Sequence, residues 1–161
     1  MKEIKLTQGK FAIVDDCDYA YVSKFRWHAR RDTRKQGDVW YAARNVKTAT
    51  KTTIGLMHRE LLGVEPGLMV DHVDGDGLNN RRENIRTCTV KQNNCNQRKR
   101  DGSSLFKGVS LIRSSGKWRA SIKIDGASRN LGNYPTEREA AAAYDATAAS
   151  AFGNFARLNL P

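Results

Sequence analysis

Apolar and polar residues alternate through residues 4–14 (Ile-Lys-Leu-Thr-Gln-Gly-Lys-Phe-Ala-Ile-Val) on either side of Gln8-Gly9, a pattern that predicts a β-hairpin. Asp15 or Asp16 then offers an N-cap for a short helix running to about Phe25. Strands are expected near 26–31, 39–46 and 51–56, and a short helix over 57–62 should stop at Gly63. Pro66-Gly67 marks a turn before a strand at 68–72. Beyond it come a long Gly/Asn-rich loop, a second strand from Ile85 to Thr89, and a helix from about Val90 to Arg98.

Gln97 to Ser104 combine Ser, Gly, Asp and a basic run, the composition of a linker that can lie along phosphates. Three short antiparallel strands follow, at 107–113, 117–125 and 127–133, joined at Ser115-Gly116 and Asp125-Gly126. In the middle one Trp118, Ala120, Ile122 and Ile124 share one face, and Lys117, Arg119, Ser121 and Lys123 share the other. Thr136-x-x-Glu139 is a capping box that opens an alanine-rich helix to about Phe152, with Gly153 as its stop. The alanines let that helix approach a sheet closely. The expected class is α+β: a small N-terminal antiparallel β region (1–57), a strand–loop–strand–helix unit (58–98), a basic linker (99–105), and a C-terminal three-stranded antiparallel sheet packed on one helix (106–161).

Charge changes this picture more than bulk composition does. The 161 residues carry a formal net charge of +11, unevenly spread. Residues 1–57 hold 12 Lys+Arg against 6 Asp+Glu, residues 58–95 hold 5 against 6, residues 96–132 hold 9 against 2, and residues 133–161 hold 2 against 3. A near-neutral segment between basic flanks suits a polyanion gripped outside and a cation held inside. No apolar run approaches the ~20 residues of a membrane span, and the N-terminus lacks a signal-peptide core, so a cytoplasmic protein without a membrane partner is expected. Cys17, Cys88 and Cys95 form no C-x-x-C pair, so neither a structural zinc site nor a cysteine nucleophile is expected.

The near-neutral segment contains Val70-Asp71-His72-Val73-Asp74-Gly75-Asp76, with Asn84 and Asn93 lying 12 and 21 positions beyond His72. Hydrolysis of a phosphodiester with one bound metal needs an oxygen ligand, a base for the water, and a neutral amide that completes the site. Asp71 and His72 are neighbours on a predicted strand, so a regular strand would point them to opposite faces. Asp74 and Asp76 fit turn positions better than ligand positions. His58 either packs beneath the site or touches substrate, and His28, beside Trp27, reads as structural.

This strand–loop–strand–helix pattern resembles the ββα-metal fold of HNH endonucleases. The resemblance runs over His58-Arg59, residues 70–76, Asn79-Asn80-Arg81, Glu83-Asn84-Ile85-Arg86 and Gln92-Asn93. It implies His72 as the general base, Asp71 and Asn93 as ligands of a divalent cation, and Asn84 as the residue that braces the loop within the catalytic site. The third motif position is often histidine; asparagine there favours a hard, oxygen-liganded ion, Mg²⁺ or Mn²⁺, over zinc. A free imidazole titrates at about pH 6.5, which suits a base.

The C-terminal unit resembles the APETALA-two/ethylene-response DNA-binding domain. The matching residues are Lys107-Gly108-Val109, Gly116-Lys117-Trp118-Arg119-Ala120, Leu131-Gly132-Asn133-Tyr134, Glu139-Ala140-Ala141, Ala143-Tyr144-Asp145 and Asn154 to Pro161. That resemblance implies a sheet entering the major groove of double-stranded DNA, with Arg113, Lys117, Arg119, Lys123 and Arg129 as contacts. Trp118 either contacts DNA or packs beneath the sheet. Arg98, Lys99 and Arg100 of the linker are candidate phosphate contacts. An HNH module joined to such a domain is similar to phage and bacterial homing-type endonucleases. The implied protein is a monomeric, metal-dependent, site-specific DNA endonuclease or nickase of the host cytoplasm or nucleoid. The competing readings are a DNA-binding regulator with a degenerate nuclease site and an RNA-binding module.

Overall fold

Strands β1 (Lys2–Lys5) and β2 (Phe11–Val14) pair antiparallel in the computed structural model, which describes residues 1–33, 38–65, 67–97, 99 and 102–160. Their turn has positive φ at both Gln8 (61°) and Gly9 (68°), the geometry that matches the right-handed twist of a two-residue hairpin. Helix α1 (Asp16–Val22) follows, shorter than expected, with Asp15 as N-cap residue. The Asp15 side chain makes no cap hydrogen bond; its Oδ2 accepts from the Arg82 N–H.

Strands β3 (His28–Arg31), β4 (Trp40–Lys47) and β5 (Thr52–Leu56) form a three-stranded meander. Helix α2 (Met57–Leu62) stops at left-handed Gly63, as the sequence predicts. Strands β6 (Met69–His72) and β7 (Ile85–Cys88) then pair as an isolated ribbon, followed by α3 (Val90–Cys95).

One core joins these pieces. Ile4, Leu6, Ala12, Val14, Val22 and Trp27 from the N-terminal elements pack with Ala42, Met57, Leu61 and Ile85. The N-terminal region and the β6–β7 ribbon therefore share a single unit, Met1–Asn93, rather than dividing near residue 57. The reason is burial: Ile85 and Val70 of the ribbon use the core of the preceding strands as their apolar floor.

The second unit, Asn94–Pro161, contains β8 (Val109–Ile112), β9 (Lys117–Ile124), β10 (Ala127–Tyr134), α4 (Glu137–Phe152) and a 3-10 turn at Gly153–Phe155. The capping box forms in full: Thr136 accepts from the Glu139 N–H, and Glu139 accepts from the Thr136 N–H. Ala140, Ala141, Tyr144 and Ala148 seat α4 on Val109, Ala120 and Ile122. Buried Asp145 accepts hydrogen bonds from the backbone N–H groups of Asn159 and Leu160, and the Asn159 amide brackets the Lys107 backbone. Ser103 and Ser104, read as linker, are tied in through Leu111 and Glu137. The α+β class is borne out.

Candidate active site

The β6–β7 register is regular to its end, with Asp71 opposite Arg86 and His72 opposite Ile85. Cross-strand partners share a face and successive residues alternate, so Asp71 and His72 diverge. Asp71 is buried, and its Oδ2 accepts from Arg86 Nε at 3.0 Å and from a terminal guanidinium nitrogen at 2.7 Å. Met69 and Cys88 lie on that same face. Burial pushes the Cys88 thiol up, with the Asp71 charge adding to the effect and Arg86 opposing it. Asn93 of α3 donates to Met69 Sδ at 3.8 Å, which brings the second candidate ligand to the Asp71 side of the ribbon.

His72 points the other way, into an aromatic nest. Its ring centroid is 4.9 Å from that of His58 and 5.8 Å from that of Tyr41, and His58 lies 5.4 Å from Tyr41. Both histidines are buried. His58 therefore packs against the candidate base, and Tyr41, which the sequence pattern did not single out, closes the cluster. Arg59 turns outward to the loop after α2, donating to the Leu68 carbonyl at 2.8 Å.

The loop between the strands is fixed by side chains. Asn84 Oδ1 accepts from the Asp74 N–H at 3.0 Å, while Asn84 Nδ2 donates to Asp74 Oδ1 at 3.0 Å and to the Asn79 carbonyl at 2.8 Å. Burial alone would raise the Asp74 carboxyl. Hydrogen bonds from the Asp76 N–H, Asn79 and Asn84, with the nearby His72 charge, outweigh that and hold it below its ordinary value. Asp76 accepts from the Leu78 N–H, so both aspartates serve the turn. Gly77 must be glycine, since a Cβ there would strike the Trp40 carbonyl and the Tyr41 ring.

Residues 78–82 are stitched to the N-terminal elements, an arrangement no local signal announced. Ile13 donates to the Leu78 carbonyl at 2.9 Å, and fully buried Asn80 donates back to the Ile13 carbonyl at 2.8 Å. The Arg82 N–H donates to Asp15 at 2.7 Å, and the Arg82 guanidinium grips buried Asp18 at 2.8 and 2.7 Å. Among the described residues, no three His, Cys, Asp or Glu side chains converge as a metal cage. A cation on the Asp71 side would thus take one carboxylate and one amide oxygen, donors that suit a hard ion completing its shell with water or phosphate oxygens.

The sequence profile of the HNH endonuclease family matches residues 57–95. Over 158 residues the chain is 30% identical to the uncharacterized HNH endonuclease L560 of Acanthamoeba polyphaga mimivirus, covering 94% of this chain and 76% of that protein. The chain belongs to the HNH endonuclease family. It is also 29% identical over 69 residues to Protein 3.8 of Escherichia phage T7, a match covering 42% of this chain and 57% of the phage protein. A third match, 46% identical over 63 residues, is to dehydration-responsive element-binding protein 2D of Arabidopsis thaliana, covering 38% of this chain and 30% of that protein. No solved structure matches the chain. As a member of the HNH endonucleases, it has a nuclease-type function.

Outside the HNH ribbon, the C-terminal candidates divide by face. Lys117, Arg119 and Lys123 are exposed and share the outer face of the sheet with Ser110, Ser128 and Asn133. Trp118 points the other way and packs against the helix-side core. Arg129 is exposed but pairs with Ile122, so the register puts it on the helix side rather than with the other cations. The physical reason is alternation: Ser128 lies opposite Lys123, so Arg129, the next residue along β10, falls on the other face. Arg113 is exposed beyond the end of β8. Lys99 is half-buried, and its charge helps hold the Glu137 carboxyl low, after the hydrogen bonds from Ser104 and Leu105. Arg98 and Arg100 lie outside the described residues.

Proposed function

We propose that the chain hydrolyses phosphodiester bonds of double-stranded DNA with one divalent metal, Mg²⁺ or Mn²⁺, and His72 as general base. One observation carries this reading: Asp71 and His72 occupy successive positions at the end of a single ribbon whose loop Asn84 locks, and Asn93 is held against Met69 on the Asp71 face. Asp71 and Asn93 would hold the cation, which when bound supplies charge stabilisation at the leaving 3′ oxygen. His72 takes the proton from the attacking water. In-line displacement puts water and leaving group on opposite sides of phosphorus, so His72 and the cation would approach the phosphate from different sides. His58 and Tyr41 hold the imidazole by packing.

In the same proposal, the C-terminal sheet grips DNA in the manner of the APETALA-two-like domain it resembles. Its outer face presents Lys117, Arg119 and Lys123 together with hydroxyl and amide side chains. Arginine there suits guanine edges, and lysine suits phosphates. The test is to incubate the protein with supercoiled and genomic DNA, with and without Mg²⁺, and to map the ends. His72→Ala should abolish cleavage and leave DNA binding within a few fold. Equal loss of both in a folded variant, or binding without ends in every metal tried, refutes the reading.

A further inference from the structure

We propose that Arg86 makes metal binding conditional on DNA. The inference rests on Asp71 being a metal ligand, as proposed above, and concerns a residue to which that reading gave no part. Arg86 is held directly across the ladder from Asp71, and two of its nitrogens close on the same carboxylate oxygen at 3.0 and 2.7 Å. The Asp71 side chain is 6% exposed and that of Arg86 21%, so this ion pair is built into the ribbon and is not a loose surface contact.

The consequence is electrostatic. Asn93 is neutral, and the one carboxylate of the ligand pair already faces a guanidinium, so the pair and its partner sum to zero formal charge. No three acidic, histidine or cysteine side chains gather among the described residues to offset this. A divalent cation gives up hydration reluctantly and needs negative charge in exchange. In the free protein it meets a compensated carboxylate and a nearby positive charge. A DNA phosphate changes both conditions at once. It adds negative charge and oxygen ligands for the cation, and it offers the planar guanidinium fork a second anion that it can grip bidentately. Metal and DNA then bind with positive coupling, and each must tighten the other by the same factor. Such a site stays unloaded until substrate arrives.

The experiment measures Mn²⁺ binding by electron paramagnetic resonance of the free ion. It uses the full chain alone and with sheared genomic DNA, on a His72→Ala background so that DNA survives, after subtracting the DNA's own Mn²⁺ uptake. The His72→Ala protein should bind Mn²⁺ at least tenfold more weakly alone than with DNA. Arg86→Gln should bind Mn²⁺ at least tenfold more tightly without DNA, because one positive charge has left the contact shell of the ligand. Arg86→Lys should keep the parent's weak Mn²⁺ binding without DNA, because it keeps the positive charge. Comparable Mn²⁺ affinity with and without DNA in the parent overturns the proposal, and this arm decides even if Arg86→Gln does not fold. A folded Arg86→Gln that binds no more tightly than the parent also overturns it. Adding Asp71→Asn separates the two readings. If it abolishes Mn²⁺ binding while Arg86→Gln changes nothing, only the role of Arg86 falls; if it leaves Mn²⁺ binding intact, Asp71 is no ligand and the metal assignment falls with it.

Discussion

Replacing Asn84 with alanine and with aspartate separates bracing from catalysis. The Asn84 side chain is buried and joins three partners around the turn that begins at His72: the Asp74 N–H, the Asp74 carboxylate and the Asn79 carbonyl. Each hydrogen bond contributes about 1 kcal/mol net, and stranded partners add a desolvation cost that water partly recovers at this rim, so Asn84→Ala should cost about 2–3 kcal/mol. Asn84→Asp preserves shape and the Oδ1 acceptor but turns the two Nδ2 contacts into oxygen against oxygen. One of these sets a new carboxylate at the 3.0 Å position opposite Asp74. Two unit charges at that distance repel by about 5 kcal/mol at an effective dielectric of 20, less with the solvent screening available here. The aspartate variant should therefore be the worse of the two near pH 7, by about 1 kcal/mol or more.

Acid narrows that gap. Asp74 has a depressed folded-state pKa, so in the native protein its contribution is present above the ordinary carboxylate range and is lost as pH falls through the folded value. In Asn84→Asp the two carboxylates share a site, and the first proton binds above the ordinary value, which relieves the repulsion as pH falls toward 4. Amide hydrogen exchange over residues 73–84 at pH 7 and pH 4.5 reads the bracing, and single-turnover cleavage at pH 7 reads the catalytic effect. Cleavage should drop on the order of 10²-fold in each variant, since the turn sets the His72 backbone. The reasoning fails if aspartate is no worse than alanine at pH 7, or if its deficit does not shrink at pH 4.5.

Three further outcomes follow from the C-terminal unit. Arg119→Ala should weaken DNA binding by about 1–3 kcal/mol if the side chain reads a base, while Arg129→Ala should cost less than half as much; equal losses in gel shifts would mean that the outer face is not the one meeting DNA. Gly108→Ala should lower the stability of this unit by about 2–4 kcal/mol, because φ is 76° and the added carbon strikes the Tyr144 ring and the Ser121 carbonyl, and an unchanged thermal midpoint would refute it. Burial pushes the Tyr144 phenol up to about 12, so stability that is complete below pH 10 should be lost as pH rises toward 12. That loss amounts to about 3 kcal/mol at most, and Tyr144→Phe should abolish the alkaline dependence; persistence of the same slope in the variant would assign it elsewhere.

Much of the fold was legible because its signals are local. The Gln8-Gly9 turn, the stop at Gly63 and the Thr136–Glu139 capping box each need only a few neighbouring residues, and each forms where the pattern predicts. What the pattern missed is long-range. Asp18 and Arg82 are 64 positions apart, yet their ion pair ties α1 to the turn before Glu83. Asp15 looks like a helix cap, and its position is right, but Arg82 claims one of its oxygens. Tyr41 carries no motif of its own and becomes part of the site only when β4 is laid beside the loop at Gly77.

The Asp71-His72 pair illustrates how far alternation reaches into chemistry. Two adjacent residues on a strand cannot face one point unless the strand breaks, and here the ladder stays regular through both. A mechanism that needed base and metal ligand on the same side would demand a bulge or a left-handed residue between them, and among the described residues positive φ first returns at Gly75. Phosphodiester hydrolysis makes no such demand, because water enters opposite the departing oxygen. An ordinary strand end followed by a side-chain-locked turn sends the carboxylate toward Arg86 and the imidazole toward His58, so under the proposed mechanism base and metal ligand must reach the phosphate from the two faces of one strand.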